Sequence, residues 1–306
     1  AKSGADIIKF QTFKSDKLVT NSAQKAPYQE INDKASNNQY EMLKKLELND
    51  KEFFILKNYC KKFNIEFLST AFDEKSISLL EKLDLKRNKI PSGEITNLPF
   101  LKRIGSYNKE IILSTGMSTL GEIEEAINIL ESAGTLRSKI TALHCTSEYP
   151  APLDEVNLKA MLTISNSLKI NVGYSDHTEG ISIAIAAVAM GAKIIEKHLT
   201  LDRSMEGPDH MASIEPRDFK EMSSEIRKIE VALGDGLKRP TQSELKNINV
   251  VRKSLVAAVD IKKGDLFTYR NIAIKRPGSG ISPMRIEDYL NKESPKNFLK
   301  DELINL

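Results

Sequence analysis

Short apolar runs alternate with longer stretches whose apolar positions recur every three or four residues, and this continues to about residue 233. Strand-like runs occupy 6–11 (DIIKFQ), 65–70 (IEFLST), 88–92 (NKIPS), 110–115 (EIILST), 140–146 (ITALHCT), 170–175 (INVGYS) and 192–198 (AKIIEKH). Helical spacing fills the gaps. In 50–63, Phe53, Phe54, Leu56, Tyr59 and Cys60 follow a 3.6-residue period, and 119–133, 154–168, 180–190 and 215–233 also read as helices. The helix at 119–133 opens on Thr119 with Glu122 three residues later, a capping-box pair. The stretch at 180–190 is apolar nearly all round, which predicts a well-buried helix.

Seven strand-then-helix units predict a parallel sheet with helices outside it. The opening AKSGA reads as the tail of a helix, a glycine stop and the start of a strand. The expected fold is therefore α/β, a (β/α)8 TIM barrel whose first strand is absent from this sequence. A doubly wound open sheet is the alternative, weakened because no GxGxxG follows any strand. Past 233 the texture changes. The polar, Gly- and Pro-containing stretch 234–246 reads as a linker, and 247–306 as a small β-rich domain with a turn signal every few residues. That leaves 1–233 as the barrel domain.

Composition narrows the function. The chain has 45 basic and 42 acidic side chains, a net charge of +3. That balance argues against nucleic acid as a partner and suits a small anionic substrate. No apolar run approaches the ~20 residues that cross a bilayer, so no membrane association is expected. Two cysteines, Cys60 and Cys145, make no disulfide framework, and a reducing cytoplasm is the expected setting.

In a parallel barrel the chemistry lies at the C-terminal ends of the strands. Those ends carry Lys9 and Gln11; Ser69 and Thr70; Lys89, Ser92 and Glu94; Ser114 and Thr115; His144, Thr146, Ser147 and Tyr149; Ser175, Asp176 and His177; Glu196 and His198. Any one is ordinary, because turns favour Ser, Thr and Asp, but a full rim of them is not. His177 and His198 end consecutive strand-like runs. Two imidazoles there suit an open divalent-metal site completed by water and substrate, and are too few for a closed structural zinc site. The plainer alternative is a pair of strand caps bonded to backbone carbonyls. Glu196 shares a strand face with His198 and opposes Lys197. It serves either in acid–base work or as a buried partner of a lysine. NKIPSGEI and ILSTGM bring Lys89, Ser92, Glu94 and Ser114 to neighbouring strand ends beside glycines, a set that suits a phosphate; two ordinary strand–turn–helix junctions would look the same. Tyr149, held extended before Pro150, either contacts a sugar or packs under its loop. Asp209 and Arg276, in SMEGPDH and IKRPGSGISP, are by composition alone solvated charges.

The ordered motifs IIKFQTF, KIPSGEITNLP, ILSTGM, LHCTSEYP, VGYSDHT, IEKHLTLD, GPDH and KRPGSGISP span essentially the whole chain. Together they resemble the bacterial sialic acid synthase family. The resemblance implies a (β/α)8 barrel followed by an antifreeze-like (β-clip) domain, and condensation of phosphoenolpyruvate with an N-acylated mannose-type sugar. It implies a metal, Mn²⁺ or Mg²⁺, on His177 and His198, and phosphoenolpyruvate contacts from Lys9, Lys89, Ser92, Ser114, Ser147 and Ser175. It implies sugar contacts from Gln11, Glu94, Tyr149, Asp209 and Arg276, and a domain-swapped homodimer in which Arg276 acts in trans. Glu94 and Glu196 are the candidate proton carriers. Two departures stand out. The family's opening motif, of the kind EIGxNHNG, is absent with its strand and an acidic residue, and Ser147 stands where some members carry asparagine.

KAPYQ, PSGEITNLP, DEVNLKAM and NINVVRKSLVA lean toward the legionaminic acid synthase branch, whose acceptor is 2,4-diacetamido-2,4,6-trideoxy-mannose. The neuraminic branch, using N-acetylmannosamine, is the alternative. A Schiff-base aldolase working through Lys9, Lys89 or Lys197, and a non-catalytic sugar- or phosphate-binding relic, are the more distant rivals.

Overall fold

The structure, a computed structural model, describes residues 1–305 and divides into two compact units, Ala1–Gly234 and a second beginning at Asp235. The first runs β1 (Ile7–Thr12), α1 (Ser15–Leu18), α2 (Pro27–Asn32), α3 (Gln39–Leu46), α4 (Asp50–Lys62), β2 (Glu66–Ala71), α5 (Glu74–Lys82), β3 (Arg87–Ile90), α6 (Leu98–Ser106), β4 (Glu110–Ser114), α7 (Leu120–Ser132), β5 (Ile140–Cys145), α8 (Lys159–Leu168), β6 (Asn171–Asp176), α9 (Ser182–Ala189), β7 (Ile195–Lys197) and α10 (Pro216–Leu233). All seven strands are parallel and pair in sequence order. The sheet is curled: Lys9 on the first strand lies 3.8 Å from Glu196 on the last, and α10 reaches back to the start of β1, where Ser223 donates to the Gly4 carbonyl.

Parallel strands carry a helix on the outside and side chains within, so they read as nearly unbroken apolar runs. In β4, Ile111, Ile112 and Leu113 are all buried, and they pack with Ile127 and Leu130 of α7 and with Ile140 and Leu143 of β5. The capping box at Thr119 and Glu122 forms as the spacing predicts. Gly173 keeps β6 and β7 close, because a Cβ there would lie 2.4 Å from the Ile194 carbonyl.

Several boundaries differ from the expectation. The third strand stops at Ile90, and Ser92–Glu94 forms a 3-10 turn, since Pro91 has no N–H to continue the ladder. The helix expected over 154–168 is a 3-10 turn, Leu153–Glu155, then α8; Asn157, at φ +46°, separates them. The helix expected to be well buried, α9, buries only Ala184, Ala187 and Val188. One side packs on the sheet and another on Met222 and Ile226 of α10, leaving the rest part-exposed. The stretch 13–49 holds three short helices between β1 and β2 that the apolar pattern leaves unassigned.

The second unit begins inside the expected linker. Helix α11 (Gln242–Val251) starts there, capped by Thr241 and Glu244. Beyond it β8 (Ser254–Ala257) pairs antiparallel with β9 (Ile272–Lys275) over a core of Leu255, Ala257, Ile261, Phe267, Ile272, Phe298 and Ile304. Among the described residues no helix is long and apolar enough to cross a membrane.

Candidate active site

Strand register builds the site. β6 and β7 pair Ser175 with Glu196 and Asp176 with Lys197, and successive residues alternate faces. The first pair faces the barrel interior, where the Ser175 hydroxyl donates to Glu196 Oε1 at 3.0 Å. The second faces the helices: Lys197 Nζ donates to Asp176 Oδ2 at 2.8 Å and to the Thr178 carbonyl at 2.7 Å, with both side chains fully buried.

Two ammonium groups converge on Glu196. Lys9 Nζ lies 3.8 Å and Lys89 Nζ 3.9 Å from Oε2. Lys89 also donates to Ser114 Oγ at 2.6 Å. Burial removes water from the Lys89 ammonium and lowers its pKa to about 8, with Glu196 opposing the shift and Lys9 adding to it. Burial alone would raise Glu196; the charges of Lys89 and Lys9, with the Ser175 hydrogen bond, outweigh it and hold the carboxyl at about 2. Beside this group, Gly116 donates its N–H to Ser92 Oγ at 2.9 Å. A Cβ at Gly116 would meet Ser147 Oγ at 2.2 Å, Ser92 Oγ at 2.9 Å and Cys145 Sγ at 3.2 Å. Only glycine lets the backbone come this near to two hydroxyls. Cations, hydroxyls and close backbone make this end a cradle for an anion.

The imidazoles lie at the other end. The rings of His177 and His198 are 5.5 Å apart and nearly perpendicular. His177 Nδ1 donates to the Thr146 carbonyl at 2.6 Å, which leaves Nε2 as the lone-pair nitrogen, 3.4 Å from Ser175 Oγ. Burial keeps both rings neutral: it lowers His177, and it pushes His198 down to about 3 with the neighbouring His177 adding to the effect. His198 Nδ1 lies 3.7 Å from Asp209 Oδ2, while Asp209 Oδ1 is buried with no partner among the described residues. A neutral imidazole fixed through its second ring nitrogen, as His177 is by the Thr146 carbonyl, suits a divalent cation as a ligand. Among the described residues no group of three or more His, Cys, Asp or Glu side chains is placed around a metal position. The donor set thus fits an open site in which this unit offers His177 and His198.

The two candidate proton carriers separate. Glu94, on the 3-10 turn after β3, accepts from Asn97 Nδ2 at 2.5 Å, and burial raises its pKa. Glu196 is held ionised. The two carboxyls shift in opposite directions, Glu94 upward through burial and Glu196 downward through its lysines.

Tyr149 stands at the imidazole end. Its ring lies 4.2 Å from that of His177, 5.4 Å from that of His198 and 5.0 Å from that of Tyr28. Tyr28 enters the sequence reading only within KAPYQ and without a role in the site, because nothing in a local stretch shows which rim it covers. Thr70, placed on the rim by the sequence but given no role there, lies by register beside Gln11 and Lys89, and its Oγ1 is buried without a partner among the described residues. Gln11 is exposed. Arg276 belongs to the second unit, where it is exposed and its Nε donates to the Val251 carbonyl at 3.0 Å. His144 bonds the Val156 carbonyl and His210 the Thr200 hydroxyl, so these two histidines serve their loops.

The family model described as the NeuB family matches residues 1–238. The chain belongs to the NeuB family. The SAF domain matches residues 252–305, the small β-rich unit. Among NeuB relatives, the N,N'-diacetyllegionaminic acid synthase of Campylobacter jejuni is 56% identical over 99% of this chain and 91% of its own length. The synthase of the same name from Legionella pneumophila is 45% identical over 97% of this chain and 84% of its own. The crystal structure of the N-acetylneuraminic acid synthetase of Leptospira borgpetersenii, in complex with citrate, superposes with a TM-score of 0.70 at 33% identity, covering 81% of each chain. These matches agree with the sialic acid synthase family, its legionaminic branch and the barrel-plus-β-rich architecture expected from the motifs.

Proposed function

We propose that this NeuB-family chain is an N,N'-diacetyllegionaminic acid synthase, joining phosphoenolpyruvate to open-chain 2,4-diacetamido-2,4,6-trideoxy-mannose with release of phosphate. The observation that carries this is the juxtaposition, on one barrel rim, of the Lys9–Lys89–Ser114 cradle with the His177–His198 pair. The high identity to the Campylobacter synthase supports the choice of sugar.

Lys9, Lys89, Ser114 and Thr70, with Ser92 and Ser147 around Gly116, bind the phosphate and carboxylate. Holding both anionic ends presents C3 to the aldehyde and turns a two-body encounter into one within a complex. Tyr149 and Asp209 hold the sugar, and Gln11 reaches its hydroxyls. C3 attacks the aldehyde carbon, a C–C bond forms, and Glu94 gives its proton to the aldehyde oxygen. Glu196, held ionised by Ser175, Lys9 and Lys89, faces the positive charge that develops at C2 as water adds there. The C–O bond to phosphate then breaks, one proton of the added water leaving with the phosphate and the other returning to Glu94, and a ketone remains. A divalent cation, Mn²⁺ or Mg²⁺, on His177 and His198 would supply Lewis-acid polarisation of the aldehyde oxygen. We also assign the enzyme to the cytoplasm, as a homodimer in which Arg276 of one chain serves the barrel of the other.

The test is phosphate release from phosphoenolpyruvate with Mn²⁺, comparing the diacetamido sugar with N-acetylmannosamine. Faster turnover of the first supports the proposal, and preference for the second moves the chain to the neuraminic branch. A Schiff-base route fits poorly: Lys197 is locked to Asp176, Lys9 and Lys89 both face Glu196, and Lys89 also donates to Ser114. Borohydride treatment in the presence of substrate should leave no covalent adduct.

A further inference from the structure

Tyr28, half-buried in the 13–49 segment, is not used in the chemistry above. It sits on α2, which hydrogen bonds of three side chains, Lys25, Gln29 and Asn32, hold in place. Lys25 Nζ donates to the carbonyls of Asp33 at 2.5 Å and Ser36 at 2.7 Å, closing the segment on itself. Gln29 Oε1 accepts the Ala26 N–H at 3.0 Å, while its Nε2 donates to the Tyr28 oxygen at 3.2 Å. Asn32 Nδ2 donates to the Pro208 carbonyl at 2.8 Å, fastening α2 to the loop that carries Asp209.

An aromatic wall results. It runs from His177 to Tyr149 across 4.2 Å and from Tyr149 to Tyr28 across another 5.0 Å. Burial, then the carboxylate of Asp209, push the Tyr28 phenol up to about 12, so it stays a donor. Because Gln29 occupies a lone pair of that oxygen, the O–H remains available to a ligand. Asp209 supplies a buried acceptor with no partner among the described residues.

We propose that Tyr28 determines specificity for the second acylamino group of the sugar, its ring against the acetyl methyl and its O–H donating to the amide carbonyl, with Asp209 accepting the amide N–H. The inference rests on the function proposed above and deepens it. With the aldehyde at the imidazoles, C4 lies three carbons further out along the wall, toward Tyr28. The diacetamido sugar carries there an amide and a methyl, and it has a methyl in place of the 6-hydroxyl. N-acetylmannosamine carries a hydroxyl at both positions. An apolar face ending in one donor and one acceptor matches the amide, and a hydroxyl leaves both groups under-used.

Steady-state kinetics on the full chain with Mn²⁺ and phosphoenolpyruvate test this in the wild type, Tyr28→Phe and Tyr28→Leu, with thermal melting to verify folding. The kcat/KM ratio of the diacetamido sugar to N-acetylmannosamine should fall about 10- to 100-fold in Tyr28→Leu, through the KM for sugar, and by less in Tyr28→Phe. An unmoved ratio in folded variants, or a loss shared equally by both sugars through kcat, overturns the assignment. If Tyr28→Leu does not fold, a Tyr28→Phe ratio equal to that of the wild type overturns it. A wild type that releases no phosphate with either sugar, or prefers N-acetylmannosamine, defeats the proposed function and this inference with it. A wild type preferring the diacetamido sugar with an unmoved variant ratio defeats Tyr28 alone.

Discussion

At Lys89 the barrel interior works against the charge that an anionic substrate needs. Burial holds its pKa at about 8, below the ordinary lysine value near 10.4. The ammonium is therefore present below that pH and lost above it. The KM for phosphoenolpyruvate should rise as pH climbs through about 8, and Lys89→Met should raise it at every pH and flatten the profile. Stability runs the other way, since the depressed value makes burial of Lys89 costly while it is charged; that cost fades from about pH 8 toward 10.4. Gly116→Ala places a Cβ 2.2 Å from Ser147 Oγ. Crowding of this kind costs about 1–3 kcal/mol, so thermal melting should show the loss and the phosphoenolpyruvate KM should rise with it. His177→Ala or His198→Ala should weaken Mn²⁺ binding by about 100-fold or more, measured by metal competition without substrate. Retention of wild-type affinity by either variant would remove the imidazole pair from the metal site. These positions were legible in the sequence because strand alternation fixes the face of each side chain. The parts played by Thr70 and Tyr28 were not: an orphaned hydroxyl or a stacked ring exists only once its neighbours are in place.

At the scale of elements, β6 and β7 are the pair whose register matters most. A slip by one residue would turn Ser175 and Glu196 outward and bring Asp176 and Lys197 in. The buried Asp176–Lys197 pair behind the histidines opposes that slip. Asp176→Ala leaves an ammonium buried without its counter-charge, which costs about 3–5 kcal/mol; a denaturant midpoint close to that of the wild type would refute this. Between β1 and β2 the sequence shows little periodicity, and the three short helices there are placed by contacts with distant loops, such as Asn32 with Pro208. Local pattern cannot announce an element held mainly from outside.

At the scale of the molecule, the proposed dimer makes a sharp prediction. Arg276→Ala and His198→Ala chains should each be inactive or nearly so, and co-refolding them should restore part of the wild-type activity, because the hybrid holds one intact site. No recovery in a verified hybrid dimer would place Arg276 outside the partner's site. What the sequence determined by itself was the order of seven parallel strands, the faces their residues take, and so the groups on one rim. Burial of apolar runs and the two-residue period of a strand are local and leave a direct trace in the chain. Tertiary structure alone decided which rim groups are ionised, and that Glu94 and Glu196 diverge. It alone brought Tyr28 against Tyr149. Charge state depends on lost water and on neighbours many residues away, and neither is written in the spacing of the residues concerned.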